Sequence, residues 1–397
     1  MRIVSKLLAA ATAAVAITAL AATPALADPP SGVTPKPRDV VGVGSDTTEF
    51  VLDQLSHDYN AIHTSGKLYS WDAINPTNGA EHDTIQAKSG STNCSIQRPF
   101  GSSEGITALE NTLMDGTSGQ PCINYARSSR ARGSTDPTTI SFINLGGDAV
   151  TYATQPGTHA PTNLTTADLT GIYNCTITKW NQIPGNSSGS TATIAAMLPQ
   201  NGSGTRSFFL GAIGLTAPGS CVSTSATRQG AAGANDQTLE ENEGVDPSLN
   251  LNKTNVIFPF SVGKYLAERY HSGSCGTIAN CFAHPTTCSH TGKNLFGCNT
   301  HGTMNLNEIN STAPTKPFPL TSASTGATIN PGFTPTFTRL LFDVVNSTEG
   351  TIPTSLKSYF GPTGFTCNSA TATKDLKNYG FLVLPKGTVA GDCGFAQ

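Results

Sequence analysis

The sequence carries little charge and has no run of basic residues. Asp, Glu, Lys and Arg make up 12% of the 397 residues, and the formal net charge is −3. Nucleic acids are bound by clustered Lys and Arg, so this composition excludes a nucleic-acid partner. Long apolar runs are also absent beyond the first 27 residues, and we predict no membrane span in the mature chain.

The first 27 residues are typical of a secretory signal peptide. Arg2 and Lys6 precede an apolar core over residues 7–20, and Ala25-Leu26-Ala27 forms a small-residue cleavage site. A membrane anchor is the alternative, but the apolar core is short for a span. No cysteine lies near the cleavage point, so a lipid anchor is not indicated. We therefore expect a secreted, extracellular protein.

The remaining chain predicts an α/β protein. Residues 28–37 form a Pro-rich tether, and candidate strands then alternate with candidate helices, which favours α/β over a β-sandwich. Two strands, 141–145 and 149–153, are predicted on either side of Gly146-Gly147. Polar residues 76–100 are predicted to form a loop, as is the Cys-, Thr-, Asn- and Pro-rich stretch 271–335.

Ten cysteines and an exported chain predict disulfides. Because sequence cannot fix connectivity, we take the local pairing as a working hypothesis. It joins Cys94–Cys122, Cys175–Cys221, Cys275–Cys281, Cys288–Cys298 and Cys367–Cys393. The alternative is a metal site formed by the four cysteines between 275 and 298 with nearby histidines, namely His271, His284, His290 and His301. None of these cysteines has the Cys-x-x-Cys spacing of zinc sites, so we predict no metal and no cofactor.

Three Gly/Ser-rich turns each run into a predicted helix. They lie at residues 42–48, 101–105 and 201–206. A helix N-terminus presents unpaired backbone N–H groups and a partial positive charge. Glycine lets an anion approach the backbone, and Ser and Thr hydroxyls add donors. Three such turns predict a pocket that holds an oxyanion with neutral donors.

In order along the chain, these segments resemble the periplasmic phosphate-binding proteins that serve ABC importers. Residues 42–47 are similar to that family's Gly-x-Gly-x-Thr turn, and residues 101–105 to its Gly-Ser-Ser-Gly-Gly loop. Residues 168–181 resemble its Asp-Ile-Tyr…Lys-Trp-Asn segment, and residues 201–205 its Asp-Gly-Ser-Gly-Thr phosphate loop. Residues 241–245 echo a Gly-Asn-x-Gly segment. The resemblance covers about residues 40–265 and is poor beyond 271.

The resemblance implies two α/β lobes joined by a hinge, with the ligand in a central cleft. Lobe one would contain residues 38–149 and 262–397, with a disulfide-rich insertion at about 271–335. Lobe two would contain residues 150–261. The implied function is capture of an inorganic oxyanion, phosphate being favoured, for ABC-type uptake. The implied protein is a monomer that binds without catalysing a reaction, and its implied partner is an ABC permease.

The resemblance and the turns together nominate a ligand-binding set. It comprises Ser45, Asp46, Thr47, Ser102, Ser129, Arg130, Gly202, Ser203, Gly204, Thr205 and Arg206. Three positions depart from the family pattern: Asp46 replaces a ligand threonine, Ser129 a proton-accepting aspartate, and Pro199 an arginine. Charge compensation is then expected from Arg206, Arg127 or Arg130. Asp46 is interpreted either as a displaced proton acceptor or as a helix cap.

Two other functions stay open at this stage. The first is a secreted scavenging or adhesion protein on the same scaffold, with residues 271–335 as its working surface. The second, less favoured, is a phosphohydrolase that uses the anion pocket for turnover. Ser203 lies in a Gly-Ser-Gly turn that could mimic a nucleophile turn, but no partner His or Asp can be nominated. We therefore predict no catalytic residue.

Overall fold

The computed structural model of the protein describes most of the chain after residue 27. The residues described are 28–30, 32–75, 80–223, 239–244, 253–270, 301–317 and 327–397. In this part of the chain no helix combines the length and apolar character needed to cross a bilayer. The predicted signal peptide and most of the Cys-rich stretch lie outside the described residues.

The described residues form fourteen strands and eight α-helices. The strands are β1 Val40–Gly44, β2 Leu68–Ser70, β3 Thr84–Gln86, β4 Ser95–Gln97, β5 Tyr125–Ser128, β6 Ile140–Thr154, β7 Asn163–Leu164, β8 Ala195–Ala196, β9 Val256–Ser261, β10 Asn305–Leu306, β11 Glu308–Ile309, β12 Thr315–Pro317, β13 Ala327–Ile329 and β14 Thr338–Asn346. The helices are α1 Glu49–Ile62, α2 Ser102–Glu110, α3 Thr166–Tyr173, α4 Gly204–Ala212, α5 Val262–Tyr270, α6 Lys357–Phe360, α7 Phe365–Asn368 and α8 Ala370–Asn378.

One large mixed sheet organises these elements. Its strand order is β2-β1-β5-β14-β6-β9-β8, and β10 pairs with the end of β6. β1 runs parallel to β2 and β5, while β14 is antiparallel to both β5 and β6. β6 continues past β14 and pairs with β9 in antiparallel register, Val150 facing Ser261. The predicted α/β class is confirmed.

β6 is one strand where we predicted two. Its fifteen residues run without a break through Gly146-Gly147, and a register shift between Leu341 and Phe342 of β14 absorbs one extra residue. Gly147 exchanges two backbone hydrogen bonds with Leu382, of 2.9 and 2.8 Å. A Cβ at Gly147 would lie 3.1 Å from the Leu382 Cβ, so glycine permits this close approach rather than ending the strand.

The prediction of a loop over 76–100 was wrong in part. The short hairpin-like pair β3 and β4 forms there, with Ile85 opposite Ile96. Ile85 is buried and Ile96 packs against the same cluster, so alternating apolar residues decide the pairing. The polar residues around them hid this short pattern in the sequence.

Apolar packing gathers into two main regions along β6. One cluster, which we call the Trp180 core, takes most of its residues from between Ala149 and Val222, and its later members are Ile257, Val262, Leu266, Ile309, Ile329, Phe333 and Phe337. Tyr173 packs edge-on against Phe209 in this core, with ring centroids 5.0 Å apart. The other region contains residues of β1, α1, β14 and α8. The long strand β6 contributes to both regions.

Three of the five predicted disulfides are confirmed. Cys94–Cys122, Cys175–Cys221 and Cys367–Cys393 are bonded, with Cα separations of 5.1, 5.8 and 5.5 Å. The pairs Cys275–Cys281 and Cys288–Cys298 lie outside the described residues. Of the histidines in the metal alternative only His301 is described, and its ring stacks on Tyr265. Among the described residues, no group of three His, Cys, Asp or Glu side chains is placed to hold a metal ion.

The Cys175–Cys221 bond closes a loop of 46 residues around the Trp180 core. We expect the double replacement Cys175→Ser/Cys221→Ser to lower the free energy of unfolding by about 2–4 kcal/mol, because the open loop gains entropy when unfolded. Urea denaturation followed by the fluorescence of buried Trp180 measures this. An unchanged urea midpoint would contradict the prediction.

Candidate anion-binding site

The three Gly/Ser-rich turns meet in space. The hydroxyl oxygens of Ser45 and Ser102 lie 3.1 and 3.3 Å from the hydroxyl oxygen of Ser129. The hydroxyl oxygens of Thr47 and Thr205 are 3.4 Å apart. Residues that are far apart in the sequence thus form one buried cluster of hydroxyl groups.

Local backbone geometry brings the turns this close. β1 ends at Gly44 (φ 114°), whose backbone lies against Gly105 of α2. α4 begins at Gly204, where a Cβ would lie 2.1 Å from the Ser129 hydroxyl oxygen and 2.5 Å from that of Ser102. Any larger residue at 204 would displace the hydroxyl cluster.

The turns differ in how their helices are capped. The hydroxyl of Ser203 accepts a hydrogen bond of 3.0 Å from the backbone N–H of Arg206 and so caps α4. α1 has Thr48 at its N-cap position and no side-chain cap bond. The interpretation of Asp46 as a helix cap is therefore wrong. Of the N–H groups at the start of α4, that of Thr205 donates into the hydroxyl cluster.

A carboxylate lies at the centre of the cluster. Oε1 of Glu241 accepts hydrogen bonds from the hydroxyls of Thr47 (2.6 Å), Ser129 (3.0 Å) and Thr205 (2.5 Å) and from the Thr205 backbone N–H (3.0 Å). The side chain is buried, with 1% of the residue exposed. Oε2 has no hydrogen-bond partner among the described residues. The site therefore already binds an anionic oxygen, which belongs to the protein itself.

A buried arginine adjoins this carboxylate. The guanidinium of Arg339 on β14 donates 2.9 Å hydrogen bonds to the Thr205 hydroxyl and to the Ser129 carbonyl. It also forms an ion pair with Asp148 on β6, through bonds of 3.0 and 2.8 Å to one carboxylate oxygen. Asp148 in turn accepts from the Ser261 hydroxyl and the Gly263 N–H, each at 2.9 Å.

The arginines nominated from sequence have other partners. Arg130 forms a bidentate pair with Asp136, with N–O distances of 2.6 and 2.9 Å. Arg206 donates to the Pro199 carbonyl. Arg127 is buried and donates to the carbonyls of Ser45 and Gly44, so it holds the first turn in place. Arg339, in contrast, contacts the hydroxyl cluster directly, through the Thr205 hydroxyl.

Sequence reasoning missed Arg339 and Glu241. Arg339 lies in a plain β-strand outside the region of resemblance, and no local signal identifies it. Glu241 carries a detectable signal, since a carboxylate occupies the first position of the segment that resembles Gly-Asn-x-Gly. The neighbouring Asn242 donates to the Thr47 hydroxyl at 3.1 Å and accepts from the Ser261 N–H.

Asp46 lies at the edge of the cluster. Its Oδ1 accepts a hydrogen bond from the Asn242 side chain (3.3 Å), and the Thr47 hydroxyl oxygen lies 3.5 Å from it. Burial and the nearby charge of Glu241 raise the pKa of Asp46 well above its ordinary value, and Lys264 opposes this rise. Lys264 itself donates to the Asp46 carbonyl and to Glu49.

Comparison with known proteins identifies the fold. Residues 78–255 match a family model described as a PBP superfamily domain. A solved structure of a putative phosphate ABC transporter substrate-binding protein from Clostridium perfringens, with bound phosphate, matches with a TM-score of 0.51 and 14% identity, covering 87% of this chain and 100% of that one. The chain has the periplasmic-binding-protein-like fold.

Other structures match over a similar extent. An ABC-type phosphate transport receptor from Vibrio cholerae has a TM-score of 0.48 and 16% identity, covering 87% of this chain and 99% of that chain. No protein matches in a search of curated sequences. The fold assignment therefore depends on the family model and the Clostridium perfringens structure.

We expect Arg339→Met to lower the free energy of unfolding by about 3–5 kcal/mol, because Asp148 would stay buried without its cation. Urea unfolding of the single and double variants measures the effect. The control is Arg339→Met/Asp148→Asn, in which the uncompensated charge is gone. Equal losses in the single and double variants would contradict the importance of the ion pair.

Proposed function

We propose that this protein is a solute receptor that binds inorganic phosphate, without catalysis, in the hydroxyl cluster between its two lobes. The observation that carries the proposal is the convergence of hydroxyl and N–H donors from three separate segments on one anionic oxygen: Thr47 of the first turn, Ser129 after β5, and Thr205 of the third turn. The fold shared with a phosphate-bound transport protein supports the same ligand. Neutral donors suit a tetrahedral oxyanion because they can surround it without requiring several cations.

The proposed ligand set keeps the hydroxyl residues of the cluster and gains Arg339, whereas Arg130 and Arg206, which have other partners, leave it. The donors nearest the anionic oxygen are Thr47, Ser129 and Thr205, with Ser45 and Ser102 directly behind Ser129. Arg339 supplies positive charge at the Thr205 hydroxyl. Its guanidinium is held by Asp148, which pre-organises the charge at little cost when the ligand arrives.

The proposed lobes are residues 38–149 with 262–397, and residues 150–261. The crossing strands support a hinge near Val150 and Val262, because β6 and β9 pair there and β6 runs from one packed region to the other. Residues 329–337 pack against the Trp180 core. They would therefore attach the C-terminal part of lobe one to lobe two. In this proposal the described arrangement is the closed one, because the hydroxyl oxygens of Thr205 and Thr47 already lie 3.4 Å apart.

The proposed setting is extracellular, with an ABC permease as partner and a monomeric receptor. A scavenging or adhesion protein is the second candidate. One observation favours it: the donors of the site are hydrogen-bonded to the chain's own Glu241. The two candidates differ in whether inorganic phosphate binds the native protein.

Calorimetric titration with phosphate, arsenate, molybdate and sulfate tests the proposal. We expect phosphate to bind, and Thr205→Val to weaken binding about 10- to 100-fold, since a charge-assisted hydrogen bond contributes about 1.5–3 kcal/mol. Thr170→Val is the matched control, because it removes a helix hydroxyl that bonds only to the carbonyls of Thr166 and Ile213. If the native protein binds none of the four anions, the receptor function is refuted.

Selectivity depends on Asp46 in this proposal. A carboxylate at the site edge can accept the proton of hydrogen phosphate, whereas sulfate has no proton to donate. We expect the preference for phosphate over sulfate to rise with pH in the native protein, because Asp46, with its raised pKa, ionises only as the pH increases. In Asp46→Asn this additional rise should be absent. Identical pH profiles would remove Asp46 from the ligand set.

A further inference from the structure

We propose that Glu241 is an internal competitor for the anion site: its carboxylate occupies the donors that phosphate requires, and phosphate binds by displacing it. This inference depends on the proposed function, since it names the residue that sets the affinity of the same site. Glu241 would then determine which anions bind, because only those that outcompete a carboxylate could enter.

The hydrogen bonds support mutual exclusion. Three of the four groups that bond Oε1 of Glu241 are hydroxyls, and each hydroxyl has a single proton. The fourth is the N–H near the start of α4, which is the kind of group that binds anions at a helix N-terminus. A proton donated to Glu241 cannot at the same time be donated to a phosphate oxygen.

Charge supports the same conclusion. Arg339 lies next to the cluster, and it is paired with Asp148. The group formed by Arg339, Asp148 and ionised Glu241 thus already carries one negative charge. An added phosphate would place a second anion beside Glu241 in a site from which water is excluded, where like charges repel strongly. Once the Glu241 side chain has left, the site contains one cation (Arg339), one carboxylate (Asp148) and one bound anion.

Only one of the two carboxylate oxygens of Glu241 is hydrogen-bonded. Its Oε2 is buried and has no hydrogen-bond partner among the residues described. A buried polar atom without a partner loses its hydration and gains nothing in return. Phosphate can use its several oxygens to engage the donors more fully, so the exchange can favour the ligand.

The backbone beside Glu241 is anchored on both sides. The Leu239 carbonyl accepts from the Gln200 N–H at 2.8 Å, and the Gly244 carbonyl accepts from the Gln155 side chain at 3.1 Å. Asn242 is fixed by its bonds to Thr47 and Ser261. Rotation of the Glu241 side chain about its own bonds would therefore suffice to vacate the site, with the surrounding backbone in place.

Calorimetric titration of the full secreted, oxidised chain with phosphate tests the inference. We expect Glu241→Ala to raise phosphate affinity by about tenfold or more, and Glu241→Gln to raise it in the same direction because the amide is neutral. Glu240→Gln is the matched control, since it removes the same charge one residue away, and we expect less than about a twofold change. Should the alanine variant fail to fold, the nearly isosteric glutamine variant provides the same comparison.

A small carboxylate gives a second readout. In Glu241→Ala the vacated donors should accept acetate, so acetate should weaken the apparent phosphate affinity of this variant more than that of the native protein. A merely structural role for Glu241 would not produce acetate competition. Equal or weaker phosphate binding by both Glu241 variants would overturn the inference and leave the receptor function intact.

Two further outcomes separate the inference from the proposed function. Binding by Glu241→Ala but not by the native chain would support the competitor role and refute the phosphate-receptor function of the native protein. Failure of the native chain and both Glu241 variants to bind any of the four anions would overturn both.

Discussion

The buried ion pair between Arg339 and Asp148 holds the site and the sheet together. It links the adjacent strands β14 and β6, and Asp148 also accepts from Ser261 and from the start of α5. Other N–H groups of Arg339 reach the Ser129 carbonyl, directly after β5, and the Thr205 hydroxyl, at the start of α4. A charge pair inside a protein requires such complete hydrogen bonding to offset its lost hydration. The hydrogen bonds that satisfy this ion pair therefore hold Ser129 and Thr205, two residues of the candidate site, in position.

The hydroxyl cluster follows from the same requirement. Ser45, Thr47, Ser102, Ser129 and Thr205 are all buried, and a buried hydroxyl needs an acceptor. The serines partly satisfy one another, but Thr47, Ser129 and Thr205 direct their protons at one point. An anionic oxygen at that point can accept all of these hydrogen bonds. Here Glu241 provides it, and a bound oxyanion would provide it in the receptor that we propose.

Much of this arrangement was accessible from local sequence. The turn at 101–105 and the turn at 201–206 lead directly into α2 and α4, as Gly and Ser before an apolar repeat predict. The capping box of Thr165 and Asp168 begins α3 where its sequence pattern indicates. The three described disulfides also follow the local pairing. These features depend on residues close together in the chain, where steric and hydrogen-bond preferences act directly.

The features that sequence analysis predicted wrongly or missed depend instead on contacts made in the folded structure. Gly146-Gly147 did not separate two strands, because pairing with β14 and with Leu382 stabilises continuous β structure there. Arg130 was a reasonable source of positive charge, yet Asp136, six residues later, binds it.

The sequence by itself thus determined the starts of α2 and α4, the α/β alternation and the presence of three Gly/Ser-rich turns, since each depends on short-range backbone chemistry. Only the tertiary structure decided that Arg339 and Glu241 meet Thr205. The sheet order brings residues more than 100 positions apart along the chain into hydrogen-bond contact, and no local preference encodes that proximity.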